Sequence, residues 1–319
     1  MAIYTLAANT LATGTITPAS PSSTSPRLGG TVQRYHWVAA DPAAGSLNVV
    51  AETLGQGKPM LLLPAFSTVS SRAELSDLAQ GLAQQHEVTV LDWPGFGDSD
   101  RPKLDYNPEF YRHFLADFVQ GRWSEAIAVV AAGHASGYVM ALASQGLWSN
   151  ITLVAPTWRG PLAVMGVPPV MRQGVKNLVR SPFLGQGLYY LNTRPAFLKW
   201  MYERHVVVDT AVLTSDYIQE RYESTQQRGA RYAPAAFVTG GLDPVTSRDE
   251  LQQWVAATTV PVTVMIAQQA PFGSRSDMEA IATLSTVRSL AFAGSLGMAE
   301  ELGSQIASAI LDETQTSQT

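Results

Sequence analysis

Apolar residues fall along this chain in short, regularly spaced runs: "YHWVAA" at 35–40, "LNVVAE" at 47–52, "MLLLPA" at 60–65, "EVTVLD" at 87–92 and "AIAVVAAG" at 126–133. Each run fits a strand. Between them lie stretches of helical period, from about Ser71 to Gln85, Glu109 to Gly121 and Gly137 to Gly146, so strand and helix alternate from Met60 onward. That alternation predicts a mostly parallel sheet covered by helices on both faces. Further runs, "NITLVAP" at 150–156, "AAFVTG" at 235–240, "PVTVMIA" at 261–267 and "VRSLAFAG" at 287–294, continue the strand pattern, and a helix near Met298–Leu311 closes it.

The pattern breaks between Pro156 and about Pro234, where no strand is readable. The expected organisation is a core made of 31–155 and 235–311, interrupted by a helical cap at 156–234 over the carboxyl ends of the strands, where ligands of such sheets bind. Residues 1–30, with "TPASPSSTSP" at 17–26, are too poor in large apolar side chains to offset the entropy of ordering, and they read as a flexible tail. A second flexible tail is expected at 312–319.

Composition narrows the function classes. With 46% hydrophobic residues there is material for a sizeable core. A net charge of −5 argues against nucleic acid as a partner, because phosphates call for a basic footprint. The absence of cysteine excludes disulfides, thiolate nucleophiles and cysteine-ligated zinc. The five histidines show no paired metal spacing, and the glycine pairs 95/97 and 240/241 lack the rest of a dinucleotide fingerprint, so neither metal nor cofactor is expected. No membrane-length apolar run is present and no Lys or Arg precedes Arg27, so the expectation is a soluble, cytoplasmic protein, peripheral to a membrane at most.

Two motifs carry a resemblance. The run "DWPGFGDSDRP" at 92–102 leaves a strand through a D-x-P-G-x-G-x-S-x-x-P turn, and "GHASG" at 133–137 stands at the end of the following strand. Together they resemble the α/β-hydrolase fold superfamily, in the branch of haloalkane dehalogenases, epoxide hydrolases and small esterases, over roughly residues 31–311. The resemblance implies an α/β fold with a mostly parallel eight-stranded sheet, helices on both faces and a helical cap. It also implies a catalytic serine at the centre of G-x-S-x-G, where this chain has Ala135 between Gly133 and Gly137. Choosing Ser136 instead would put His134 and Tyr138 where small residues belong.

The other family positions are also altered. The acid after the seventh strand aligns with Ala270 in "AQQAP", and the histidine after the last strand with Ser295 in "AGSLGMAEEL"; no histidine follows His205. Pro64-Ala65 replaces the His-Gly that precedes the oxyanion amide near Phe66, while the second amide is expected from Ser136. Loss of a triad typically costs on the order of 10⁶ in turnover. The expectation is therefore a pseudoenzyme with a degenerate triad, binding an apolar or lipid-like small molecule or a protein partner. One alternative is a hydrolase-like or lyase-like enzyme working through Ser136, His134, Asp243 or Ser295; another is a structural or assembly partner. His134 also reads as a satisfied structural histidine and Asp243 as a turn cap.

Charge is segregated. Residues 156–205 hold Arg159, Arg172, Lys176, Arg180, Arg194, Lys199 and Arg204 against Glu203 alone, which is +6 and leaves −11 for the rest. Apolar runs, "PLAVMGVPPVM" at 161–171 and "FLGQGLYYL" at 183–191, lie among these cations. Such a segment suits an anionic membrane surface or a lipid-like ligand; equally, it suits an apolar underside packed on the sheet with a polar top.

Overall fold

A computed structural model describes residues 14–19, 24–43 and 45–316. The sheet has nine strands: β1 (Thr15–Pro18), β2 (Thr31–Val38), β3 (Ser46–Leu54), β4 (Lys58–Leu63), β5 (His86–Leu91), β6 (Ile127–Ala132), β7 (Trp148–Val154), β8 (Val262–Ala267) and β9 (Val287–Phe292). They lie in the order β1-β2-β3-β5-β4-β6-β7-β8-β9. The pairs from β1 to β5 through β3 are antiparallel, and every pair from β5 across to β9 is parallel. The central strands read as nearly continuous apolar runs because both of their faces are covered, and Leu61, Leu62 and Leu63 are fully buried.

The helices are α1 (Ser76–Leu82), α2 (Pro108–Arg122), α3 (Ala135–Ala141), α4 (Pro161–Val164), α5 (Pro169–Arg180), α6 (Leu184–Asn192), α7 (Pro195–His205), α8 (Ser215–Thr225), α9 (Tyr232–Val238), α10 (Arg248–Ala257), α11 (Phe272–Ala282), α12 (Met298–Glu301) and α13 (Gly303–Thr316). One core lies between the sheet and α2, α3 and α10, with Trp37, Trp93, Tyr111 and Phe114 inside it. The other lies beneath α1 and α13, around Met60, Leu62, Val130 and Ile306. Asn107 caps α2 by accepting from the Phe110 amide at 2.9 Å, and Pro108 opens the helix where no amide is needed.

Four sequence expectations need correction. Residues 14–19 and 24–30 do not form a tail. The strand β1 pairs with β2, and the Arg27, Leu28 and Gly30 amides each donate to the buried Glu52 carboxylate at 2.9 Å. That partner is distant in sequence, so composition could not show it; residues 1–13 and 20–23 lie outside the described residues. Of the expected C-terminal tail, residues 312–316 belong to α13, which runs to Thr316, and residues 317–319 lie outside the described residues. The run at 235–240 belongs to helix α9 and its turn rather than to a strand: a short, alanine-rich buried run has no periodicity that separates the two. The described strands therefore number nine and not eight, β1 being the addition.

Between β7 and β8 the chain passes through α4 to α10. Residues of α5, α7 and α8, and the segment after α7, contact the loops that follow the carboxyl ends of the strands. Lys176 pairs with Asp105 beyond β5 at 3.0 Å, and Leu198, Tyr202 and Ile218 pack with Val69 beyond β4. The Val208 amide donates to Glu301 beyond β9 at 2.9 Å. On α5 the polarity is reversed from the usual helix of a soluble domain. Lys176 is buried, and Arg172 reaches the Thr239 carbonyl at 3.1 Å, while Val170 and Met171 are 84% and 62% exposed.

Candidate functional site

The sharp turn after β6 is where the resemblance places a nucleophile. Its left-handed residue is Gly133, with φ +52°; His134 is in the right-handed helical region and Ala135 already belongs to α3. The apex therefore lies two residues before the expected Ala135, and it carries no side chain at all. Small residues two positions either side of the apex are then Ala131 and Ala135. Gly133 is held by its own amide on Val154 O at 3.0 Å, and its carbonyl accepts from Ser136 and Thr157, both at 3.2 Å. A Cβ there would come within 2.9 Å of the Ala65 Cβ. Gly137 is small for a different reason: the Pro244 ring fills the space its side chain would take.

None of the residual hydroxyl candidates is free at this turn. Ser136 is fully buried and donates to Ala131 O at 3.1 Å, and Ser295 donates to His205 O at 3.2 Å. Ala270 is buried beside the second core. Phe66 stacks on Trp93 and packs against Phe96, Tyr111 and Tyr138, while the Trp93 indole donates to Pro64 O at 2.9 Å. Ala135, Ser136, Ala270, Ser295 and Phe66 are each at most 6% exposed, so little of any of them is open to a reacting partner.

Two of the candidates do meet. His134 Nε2 lies 3.2 Å from Asp243 Oδ1, and its Nδ1 lies 2.9 Å from the hydroxyl of Thr157. The same Asp243 oxygen accepts from the Gly160 amide at 2.7 Å, and the Phe237 ring stands edge-on to the imidazole, with centroids 5.1 Å apart. The result is a hydroxyl, an imidazole and a carboxylate in series. Thr157 is partly exposed, and its oxygen would stand 3.6 Å from a Cβ at Gly133. It follows Ala155, whose φ of +44° is the one left-handed conformation outside glycine among the described residues, and such a residue costs of order 1 kcal/mol or more. Sequence reading missed Thr157, since no spacing joins it to His134. Among the described residues, no three His, Asp or Glu side chains gather as a metal site would require.

The other motif builds a buried ion cluster. Arg72, with no exposed side-chain surface, donates to Glu52 at 3.0 Å and to Asp98 at 2.8 Å, and its guanidinium also contacts Asp92. Asp92 accepts further bonds from the Arg72 and Asp98 amides at 2.6 and 2.9 Å. Burial pushes the Asp92 carboxyl up, against the pull of Arg72. Burial works on Glu52 in the same direction, but three backbone amides and Arg72 hold it below its ordinary value. Gly97, with φ +50°, has no room for a Cβ because the Asp92 carboxylate occupies that space. A cleft of about 540 Å³ lies at the opposite, amino ends of the strands, lined by Lys58, His86, Glu125, Thr263 and Arg288 among others.

The nine-stranded sheet, its crossovers and the turn after β6 define an α/β-hydrolase-type scaffold. The model of the alpha/beta hydrolase family matches residues 60–286, and the chain belongs to that family. No curated protein matches it. Among solved structures it is similar to Cfl2 from Burkholderia cenocepacia, with 19% identity, TM-score 0.67, and 92% of this chain and 99% of that one covered. It is also similar to a thermophilic esterase from Thermogutta terrifontis, with 17% identity, TM-score 0.68 and coverage of 90% and 100%. A haloalkane dehalogenase from Agrobacterium tumefaciens gives 14%, 0.68, and 92% and 99%. At these identities the likeness is one of fold.

Proposed function

We propose that the protein is a non-catalytic member of the α/β-hydrolase family that works by binding, its counterpart being the apolar part of a small molecule or of a partner protein. The observation that carries this reading is the side-chain-free apex at Gly133, with the nearby Ser136 and Ser295 hydroxyls committed to backbone carbonyls. An acyl group needs an attacking oxygen and a base with an open nitrogen, and the position that serves the family offers neither. The test is exposure of the purified protein to p-nitrophenyl esters and a fluorophosphonate probe, with native mass spectrometry of protein taken directly from its host. The expected result is no labelling, no turnover above the scaffold background and, for a small-molecule counterpart, a retained apolar mass. Ester turnover at ordinary enzymic rates would refute it.

A second reading is favoured by the Thr157–His134–Asp243 series. In it the Thr157 hydroxyl attacks an acyl carbon and passes its proton to His134 Nδ1, while Nε2–H remains on Asp243. The leaving group then takes that proton from His134, and water hydrolyses the acyl-threonine. This requires the partly exposed Thr157 to be the labelled residue. A fluorophosphonate adduct mapped to Thr157 and lost in Thr157→Ala would favour it, whereas an unlabelled chain leaves the series as the hydrogen bonds that fix the α9–α10 loop to β7.

A further inference from the structure

The outer surface of the insertion carries more exposed apolar side chains than a soluble monomer ordinarily shows. Phe183 is 89% exposed, Val170 84%, Met165 71%, Leu184 68%, Met171 62% and Trp200 51%. They stand on α5, α6 and α7 and the turns before α5 and α6, and these helices pack in sequence, α5 against α6 and α6 against α7. Exposed positions recur at helical spacing, 170, 171, 175 and 178 on α5 and 184, 187, 188 and 191 around α6, with only Leu188 drawn partly inward. No helix among the described residues is long and apolar enough to cross a membrane.

We infer that this face seats on an anionic lipid surface. Charge selects that occupant. From Ala126 to Tyr202 the chain contains no Asp or Glu, so α5, α6 and α7 together carry one carboxylate, Glu203, against the cations. Arg194, Lys199 and Arg204 are exposed at its edge, Lys199 sharing its charge only with Glu203 at 3.9 Å. A second copy docked symmetrically would bring each patch and its cations against the same patch and cations, whereas acidic headgroups neutralise them. Trp200, Phe197 and Tyr190 are the ring types that settle at a membrane boundary. Arg172, Lys176 and Arg180 take no part, because Thr239 O and Asp105 hold them on the inner side. Docking is independent of whether any chemistry survives at His134, and it is read without substrate.

The test is co-sedimentation with vesicles of phosphatidylcholine alone or mixed equally with phosphatidylglycerol, in low and high salt, with analytical ultracentrifugation of the lipid-free protein. Expected are a monomer, partitioning at least fivefold stronger on the mixed vesicles, and loss of that gain in high salt. The Phe183→Ser/Trp200→Ser and Arg194→Glu/Lys199→Glu pairs each lower partitioning at least fivefold. Phe272→Ser, an exposed phenylalanine outside the insertion, leaves it unchanged. Equal partitioning on both vesicle types, or indifference to both double substitutions, overturns the inference. So does a dimer that the apolar pair dissociates, which would make the face a self-association surface.

Discussion

The sheet and the insertion treat the same side-chain classes in opposite ways. Around β4 to β8, Leu, Val and Phe point inward, and the charge kept inside beside them is partnered, as in the Arg72 cluster. On α5 the long cations are turned in toward Asp105 and Thr239, and Val170 and Met171 face out. The insertion buries Leu198, Tyr202, Leu213 and Ile218 in a small core of its own and leaves Val170, Met171, Phe183 and Leu184 outside it. The difference teaches that the sheet domain puts its apolar surface to use in folding, while the insertion leaves much of its own outside any core.

The comparison is sharpened most by substitutions inside the sheet domain. Phe114, fully buried between Trp37 and Trp93, should cost about 3–5 kcal/mol as Phe114→Ala, read by urea unfolding. Arg72→Met should fall in the same range, about 3–5 kcal/mol, because it leaves Asp92 and Glu52 buried without their shared cation. A loss below about 1 kcal/mol in Phe114→Ala would mean that the first core does not carry stability as its burial implies, and one that small in Arg72→Met that the ion cluster does not.

The contact between insertion and sheet domain should respond to pH. Glu74 sits beneath the insertion with its Oε1 away from solvent and without a hydrogen-bond partner, facing Arg221, Glu300, Asp92 and Tyr202. Burial raises its carboxyl well above the ordinary value and outweighs the attraction of Arg221. Burial raises Glu300 as well, although Arg221 contacts it. A carboxyl raised by folding contributes stability that is full below its unfolded pKa and is lost as pH rises through its folded one. Thermal unfolding of Glu74→Gln should therefore match the parent near pH 4.5 and show a higher midpoint at pH 8. A substitution that lowers the midpoint at pH 8 would place an ionised, well-compensated Glu74 in the cluster instead.

Lys176→Met probes the reversed polarity directly. The ammonium is nearly buried, but its Asp105 partner is largely exposed, so the pair is screened and its loss should change stability by less than about 1 kcal/mol. A loss of several kcal/mol would show that the inward cations fasten the insertion, and that the exposed apolar face is a by-product of that fastening.

The parallel strands were legible because a strand buried on both faces must read as a nearly continuous apolar run: β4 and β6 do so, and a single threonine interrupts the buried stretch in each of β5, β7 and β8. The elbow was legible as a place but not in its register. Residues 131, 133, 135 and 137 are Ala, Gly, Ala and Gly, so small residues flank the apex equally well with Gly133 or Ala135 at the centre. Backbone torsion alone separated them. His134 and Asp243 could be named singly, but their meeting depends on the path of the whole insertion. The inward face of α5 was hidden for the same reason, since Asp105 lies on a loop that precedes it by two strands. Charge segregation was correctly seen, but which of the cations face solvent was not a property of the sequence.

The smallest expected effect is the most discriminating. Phe183→Ala removes the same ring as Phe114→Ala from a position that is 89% exposed, and folding gains little from a ring that water still surrounds. Its stability change in dilute buffer should stay within about 0.5 kcal/mol, against several for Phe114. The two substitutions should then exchange rank on lipid: Phe183→Ala should weaken vesicle binding while barely moving the unfolding midpoint. A second ring-removal cost of several kcal/mol at Phe183 would mean that this surface is covered in solution by the protein itself, and the contrast between sheet and insertion would fall with it.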